Sequence, residues 1–111
     1  MGLFSAIGKY AQKKNAEMQK AYETAREEGV EWTINRLRSS SNSISSPTTI
    51  GLMKSLSEMA SKVDDSALKY YYEDAVDRGN IYACRSLAKV LVERGFLEKG
   101  EGNYYRKTEN W

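Results

Sequence analysis

The only thiol in this sequence belongs to Cys84, and the chain contains no histidine. Without histidine, a cysteine or serine nucleophile lacks its commonest base, and a zinc ion lacks its commonest ligand. Cys84 also lies among Ala83, Leu87 and Ala88, where a cysteine behaves as a small core residue. The sequence therefore predicts neither nucleophilic catalysis nor a zinc site, and a single cysteine cannot form an internal disulfide.

The acidic residues and the glycines form no diagnostic pattern either. Asp64 and Asp65 are explained as the start of a helix, where their charges suit the positive end of the helix dipole. Gly95, Gly100 and Gly102 lack the lysine and serine that complete a phosphate-binding loop, and no predicted strand precedes them. We therefore expect no catalytic, cofactor-binding or metal-binding residues, no cofactor and no enzymatic activity.

The aromatic residues are the remaining candidates for a functional surface. Tyr70, Tyr71 and Tyr72 cannot all face the core, because successive helical residues are rotated by about 100°. If Tyr71 and Tyr72 lie at the core edge, Tyr70 is exposed, and exposed aromatic residues are enriched in protein-binding surfaces. The alternative is ordinary amphipathic packing with the hydroxyls at its rim. The residues that we expect to contact a protein partner are Trp32, Tyr70, Tyr82, Tyr104 and Tyr105.

Length and charge limit the classes of function. With 111 residues, 41% apolar and 29% charged, the chain has the size and composition of one globular domain. Its 17 basic and 15 acidic residues are interspersed, which argues against a nucleic-acid interface because no basic stripe results. No apolar run approaches the ~20 residues of a membrane span, and no convincing secretion signal is present, so we expect a cytoplasmic protein.

Helical periodicity accounts for most of the chain. A long amphipathic helix is predicted to end at Gly29, because glycine takes the left-handed conformation without steric cost, and a shorter helix follows. Ser46 and Pro47 are typical of a helix start, as the cap and the first-turn residue. The same reasoning places the next starts and stops at Asp64, Gly79, Asn80 and Gly95.

No segment alternates clearly enough to predict a strand, so the sequence predicts an all-α fold, a small stacked helical-hairpin domain of about five helices. Within this single domain, 1–38 is a first helical hairpin, 39–47 a Ser-rich linker, 48–95 repeat-like hairpins and 96–111 a polar tail. The linker is interpreted as a plain connector, with a modification site as the alternative. The apolar face of the fourth helix is expected to comprise Leu68, Tyr71, Tyr72, Ala75 and Val76.

Two stretches fifty residues apart repeat one pattern. Five residue types recur in register, and an acid recurs at Glu27 and Asp77. A repeat of this kind is typical of one helical hairpin used twice, and so of a stacked helical architecture. The identical pairs are Tyr22/Tyr72, Glu23/Glu73, Ala25/Ala75, Gly29/Gly79 and Leu37/Leu87.

The second copy, ALKYYYEDAVDRGNIYACRSLAKVLVERG at 67–95, resembles a SEL-one-like repeat, a relative of the tetratricopeptide repeat. The departures from that pattern are Val76 for its second alanine, Ala88 for its usual glycine, and Leu91 for its typical aromatic residue. In addition, Gly95 falls one residue late. The resemblance implies two closely packed antiparallel helices and a concave face that docks another protein. The positions that correspond to those of the family's pattern, departures included, are Tyr71, Tyr72, Ala75, Val76, Gly79, Ala83, Leu87 and Ala88.

The N-terminal segment supports a competing function. Leu3, Phe4 and Ile7 share one helical face and lysines follow closely, a pattern that membrane-surface helices share. The helix then continues into core-like residues, which favours packing on this domain or on a second copy through residues 3–25. Our leading hypothesis is a non-catalytic adaptor or inhibitor of a larger protein. The alternative is a self-associating structural or membrane-peripheral protein that uses this helix.

Overall fold

The computed structural model describes the backbone of residues 2–39, 43, 45–102 and 104–111, and the side chains of these residues from 13 onward. The predicted all-α fold of about five helices is confirmed. Within the predicted linker, residues 40–42 and 44 lie outside the described residues. The elements are α1 (Gly2–Glu28), α2 (Val30–Leu37), α3 (Pro47–Ala60), α4 (Asp65–Asp77), α5 (Ile81–Glu93), β1 (Leu97–Lys99) and β2 (Tyr105–Lys107).

Side-chain caps begin three of the helices, as the sequence predicts. Ser46, Asp64 and Asn80 each accept a hydrogen bond from the backbone N–H three residues later, at 3.5, 2.8 and 3.3 Å respectively. Each bond satisfies one of the donors that a helix start otherwise leaves unpaired. Pro47 occupies the first turn of α3, where its missing N–H costs nothing.

Left-handed glycines end the helices at the predicted positions. Gly79 has φ +67° and lets the N–H of Asn80 turn back to the carbonyl of Ala75 at 2.8 Å. Gly95, with φ +82°, ends α5 in the same way. Gly29, with φ +99°, is the single residue between α1 and α2, where it serves as the N-cap of α2.

The first layer of the fold contains α1, α3 and α5, which run in the same direction. α1 packs mainly against α3. A Cβ atom placed on Gly51 would lie 2.3 Å from the carbonyl oxygen of Met18, and further along both helices Arg26 lies 3.9 Å from Glu58. The contacts therefore occur in the same order along α1 and α3, so these two helices are parallel. The lack of a side chain at Gly51 is what permits the close approach.

The contact of α3 with α5 follows the same parallel order. Ser57 Oγ donates a hydrogen bond to the carbonyl of Ser86 at 3.2 Å. Further along both helices, the guanidinium of Arg94, the residue that follows α5, donates to the carbonyls of Ala60 and Ser61 at 3.3 and 3.0 Å. Arg94 therefore satisfies carbonyl groups at the end of α3, where intrahelical donors run out.

The second layer contains α2 and α4. The end of α5 meets the start of α4, because Arg94 Nη1 lies 2.9 Å from Asp65 Oδ1, so these two helices are antiparallel. Tyr71 on α4 donates a hydrogen bond to Glu31 on α2 at 3.2 Å. The side chain of Asn80 donates to the carbonyl of Ile34 at 2.8 Å and so joins α2 to the start of α5. The two layers are thereby connected at the end of α2.

Leucine and alanine side chains fill the space between the layers. Alanines at Ala75 and Ala83 are buried where α4 meets α5, which permits the close approach of these helices. Val76 corrects one expectation, because its side chain is 51% exposed and lies outside the core. It follows the buried Ala75 by one residue, and the ~100° rotation turns it towards solvent. The largest fully buried side chains include Leu37, Leu52, Leu56, Leu68, Leu87 and Leu91.

The predicted polar tail is a docked β-hairpin, which corrects the expectation that the chain contains no strand. β1 and β2 are antiparallel, and Leu97 on β1 is buried in the core. The indole ring of Trp111 lies 6.0 Å from the ring of Tyr72 on α4. Lys69 Nζ donates to the Trp111 carbonyl oxygen at 2.8 Å and lies over the ring of Phe96 at 4.1 Å. The segment is thus held to α4 by ring and cation–π contacts.

We predict that Gly51→Ala destabilises the protein by about 1–3 kcal/mol, because the new Cβ would overlap the Met18 carbonyl. The usual effect of this change inside a helix is the opposite, a gain of roughly 1 kcal/mol. Urea unfolding followed by circular dichroism measures the sign. Thr48→Ala, on the exposed side of the same helix, is the matched control and should cost nothing. A rise in stability for Gly51→Ala would contradict the close contact.

Candidate functional site

A surface cleft between α2 and α4 contains the most exposed of the three consecutive tyrosines. Tyr70 is 67% exposed, Tyr71 is half-buried and Tyr72 is buried, as the helical rotation predicts. The cleft has a volume of about 300 Å³. We call it the Tyr70 cleft, and it is lined by Glu31, Ile34, Asn35, Tyr70, Tyr71, Asp74 and Arg78.

Tyr71 fixes the geometry of the Tyr70 cleft. Its ring meets the Tyr70 ring edge to face, with centroids 5.9 Å apart. Its hydroxyl donates to the Glu31 carboxylate at 3.2 Å, which joins the two walls of the cleft. Partial burial, and next this hydrogen bond, raise the pKa of Tyr71 above its ordinary value. The phenol therefore remains a neutral donor across the physiological range.

A paired guanidinium lies on the same wall of the cleft as Tyr70, at the end of α4. Arg78 Nε donates to both carboxylate oxygens of Asp74, at 3.0 and 3.1 Å. The hydrogen bond to Asp74 raises the pKa of the Arg78 guanidinium, so its charge is permanent. The cleft thus combines an aromatic ring, a fixed cation and an exposed amide at Asn35. Tyrosine and arginine are the residue types that dominate the energetics of protein interfaces.

Trp32 lies in a different groove, between α1, α2 and α3. Its side chain is half-buried and packs against the core. This groove has a volume of about 380 Å³. It is lined by Glu17, Lys20, Ala21, Thr24, Trp32, Arg36, Thr48 and Leu52.

The remaining predicted residues lie on α5 and on the hairpin. Tyr82 is half-buried and packs against the core at the start of α5. Tyr104 is 78% exposed, and the neighbouring Tyr105 is half-buried. Tyr105 lines a third groove, between α4 and the hairpin, beside the exposed Val76. Trp32, Tyr70 and Tyr105 therefore line three separate grooves of the molecule.

One further groove was missed by sequence reasoning. It lies between α3 and α5 and has a volume of about 440 Å³. The sequence places Ile50 and Arg85 thirty-five residues apart, and no local pattern indicates that α3 and α5 pack side by side. We call it the α3–α5 groove, and its lining residues are Ile50, Met53, Lys54, Ser57, Glu58, Arg85, Ser86 and Lys89.

The thiol of Cys84 is not activated as a nucleophile. Cys84 is a free, half-buried thiol, and burial raises its pKa to about 11. A thiol with that pKa stays protonated at neutral pH, whereas the thiolate is the nucleophile. No cluster of three or more acidic or cysteine ligands among the described residues is placed to hold a metal ion. In the same part of the chain, no helix is long and apolar enough to cross a membrane.

Comparison of the chain with protein-family models, with curated proteins and with solved structures found no match. The resemblance of residues 67–95 to SEL-one-like repeats therefore stays a prediction from those residues. The features of this molecule that bear on its function are its surfaces, above all the Tyr70 cleft and the α3–α5 groove.

Proposed function

We propose that this protein is a non-catalytic protein-binding module, an adaptor or inhibitor of a larger protein, and that its partner contacts the Tyr70 cleft. The observation that carries the proposal is the 67% exposure of Tyr70 beside a fixed guanidinium. The exposed ring of Tyr70 is not part of the hydrophobic core, but it offers a large contact area to a partner. Tyrosine does so at low entropic cost, because only two side-chain torsions must be fixed.

Preorganisation of the cleft supports this function. The edge-to-face contact with Tyr71 restricts the Tyr70 ring, and Asp74 restricts Arg78. A partner therefore orders few side chains when it binds, and ordering each one costs about 0.5–1.5 kcal/mol. The protonated thiol of Cys84 and the absence of histidine from the sequence also favour binding over catalysis. The same inventory, with one cysteine, favours the cytoplasm as its location.

We predict that Tyr70→Ala changes the free energy of unfolding by less than about 1 kcal/mol, because most of the ring is in solvent. Binding should weaken about 30-fold or more, the loss typical of an interface hot spot. The partner is first captured from the native host with the tagged full chain and identified by mass spectrometry. The purified partner is then titrated against each variant by isothermal calorimetry.

Tyr104→Ala is the matched control, since Tyr104 is 78% exposed but lies outside the Tyr70 cleft. The sequence alone led us to expect a partner contact at Tyr104 as well, whereas the present proposal places the partner at the cleft, so Tyr104→Ala should bind the purified partner as tightly as the wild type does. Equal affinity of Tyr70→Ala and wild type, with both proteins folded, would reject the cleft as the binding surface.

A second candidate function is self-association or membrane-surface binding through α1, and the length of this helix favours it. Because Met18 lies beside Gly51 and the helices are parallel, α1 begins well before the start of α3. The first twelve residues of α1 correspond to roughly 18 Å of helix beyond that start. The molecule is accordingly 58 Å long but only 32 and 24 Å in the other directions.

This second candidate predicts a concentration-dependent dimer in analytical ultracentrifugation, or flotation with anionic liposomes. Phe4→Glu should abolish either behaviour, because the sequence places Phe4 on the apolar face of α1. Ala16→Glu is the control, since Ala16 is exposed on the same helix. A monomer at every concentration that does not float with liposomes would exclude this candidate and leave the Tyr70 cleft unaffected.

A further inference from the structure

The α3–α5 groove has an apolar wall on α3. Ile50 is 41% exposed and Met53 is half-buried, and they lie one helical turn apart on the same face. At the floor, the Ser57 hydroxyl donates to the carbonyl of Ser86 at 3.2 Å. The short side chains of Ser57 and Ser86 allow α3 and α5 to lie close together at this point. Beside Ile50 and Met53 the groove forms an open channel. Such a channel fits one face of an amphipathic helix.

The charges around this groove are mostly positive. Lys54, Arg85 and Lys89 line it, together with a single acid, Glu58. The Glu58 carboxylate accepts a hydrogen bond from the Tyr22 hydroxyl and lies 3.9 Å from Arg26 on α1. Part of its negative charge is thus offset from outside the groove.

The cations of α5 have no such compensation. The side chains of Arg85 and Lys89 make no hydrogen bond or ion pair with any other described residue. Arg85 is half-buried, and its guanidinium has no partner among the described residues. A carboxylate of a bound molecule would supply the missing acceptor, and an arginine–carboxylate pair is strong and geometrically specific.

We propose that the α3–α5 groove binds an acidic amphipathic helical segment of a partner protein. Aliphatic side chains of that segment pack on Ile50 and Met53, and its carboxylates pair with Arg85 and Lys89. Charge complementarity selects an acidic segment, and the apolar wall selects a peptide over a nucleic acid. A phosphate backbone would leave Ile50 and Met53 facing charged groups.

This inference rests on the proposed function only in that the chain binds proteins. The groove and the Tyr70 cleft lie between different pairs of helices and share no lining residue. Two separate docking surfaces would let one small chain connect two proteins, which favours an adaptor over a simple inhibitor. Variants in each surface can therefore be tested independently.

The test is selection from a random helical-peptide display library on the full chain, followed by titration of the enriched peptides by fluorescence anisotropy. Enriched sequences should combine two or more carboxylates with aliphatic residues three or four apart. Lys89→Glu and Ile50→Ser should each weaken these peptides at least tenfold. Lys89 is exposed, so Lys89→Glu should unfold at the wild-type urea midpoint, whereas Ile50→Ser, at a residue 41% exposed, should stay folded with a slightly lower midpoint.

Lys62→Glu is the matched charge control, because Lys62 is exposed and lies outside the groove. It should leave peptide affinity within twofold of wild type, and so should Tyr70→Ala. Failure to enrich acidic peptides, or equal affinity for Lys89→Glu and Lys62→Glu, would overturn the inference. A short DNA duplex that binds in place of peptides, and is lost in Lys89→Glu, would also overturn it. Peptides lost only in Tyr70→Ala would support the Tyr70 cleft and reject the groove.

Discussion

The buried residue Asn80 connects three helices through its side chain and its backbone, and the geometry of the second layer depends on it. Its Oδ1 accepts the N–H of Ala83 at 3.3 Å and begins α5, while its Nδ2 donates to the carbonyl of Ile34 at 2.8 Å at the end of α2. Its backbone N–H closes α4 on the carbonyl of Ala75. Only 3% of the residue is exposed, so solvent cannot replace these bonds. The Tyr70 cleft lies between two of the helices that Asn80 positions.

The first layer follows from a second constraint, the absence of a side chain at Gly51. Because α1 lies so close to α3 there, α1 also supplies Tyr22 and Arg26 to the carboxylate of Glu58. In the α3–α5 groove itself, the side chains of Arg85 and Lys89 form no ion pair with the described residues. The packing of α1 against α3 therefore affects the charges in the neighbouring α3–α5 groove.

Local features of the fold were predictable from the sequence, whereas contacts between distant segments were not. The caps at Ser46 and Asp64 and the exposure of Tyr70 depend only on neighbouring residues and on helical rotation. The hairpin was missed because strands of three residues show no period, and their docking depends on Trp111 meeting α4. How whole helices pack also determines which residues meet across the α3–α5 groove. The same packing separates Trp32 from Tyr70.

The most direct test of this account is the urea-unfolding free energy of Asn80→Asp at pH 7. An aspartate can still accept the N–H of Ala83, but it cannot donate to the carbonyl of Ile34 and places a charge where only 3% of the residue meets solvent. We predict a loss of about 2 kcal/mol or more. The reciprocal change at an exposed cap, Asp64→Asn, should cost less than about 1 kcal/mol. Equal losses for the two variants would contradict the role assigned to Asn80.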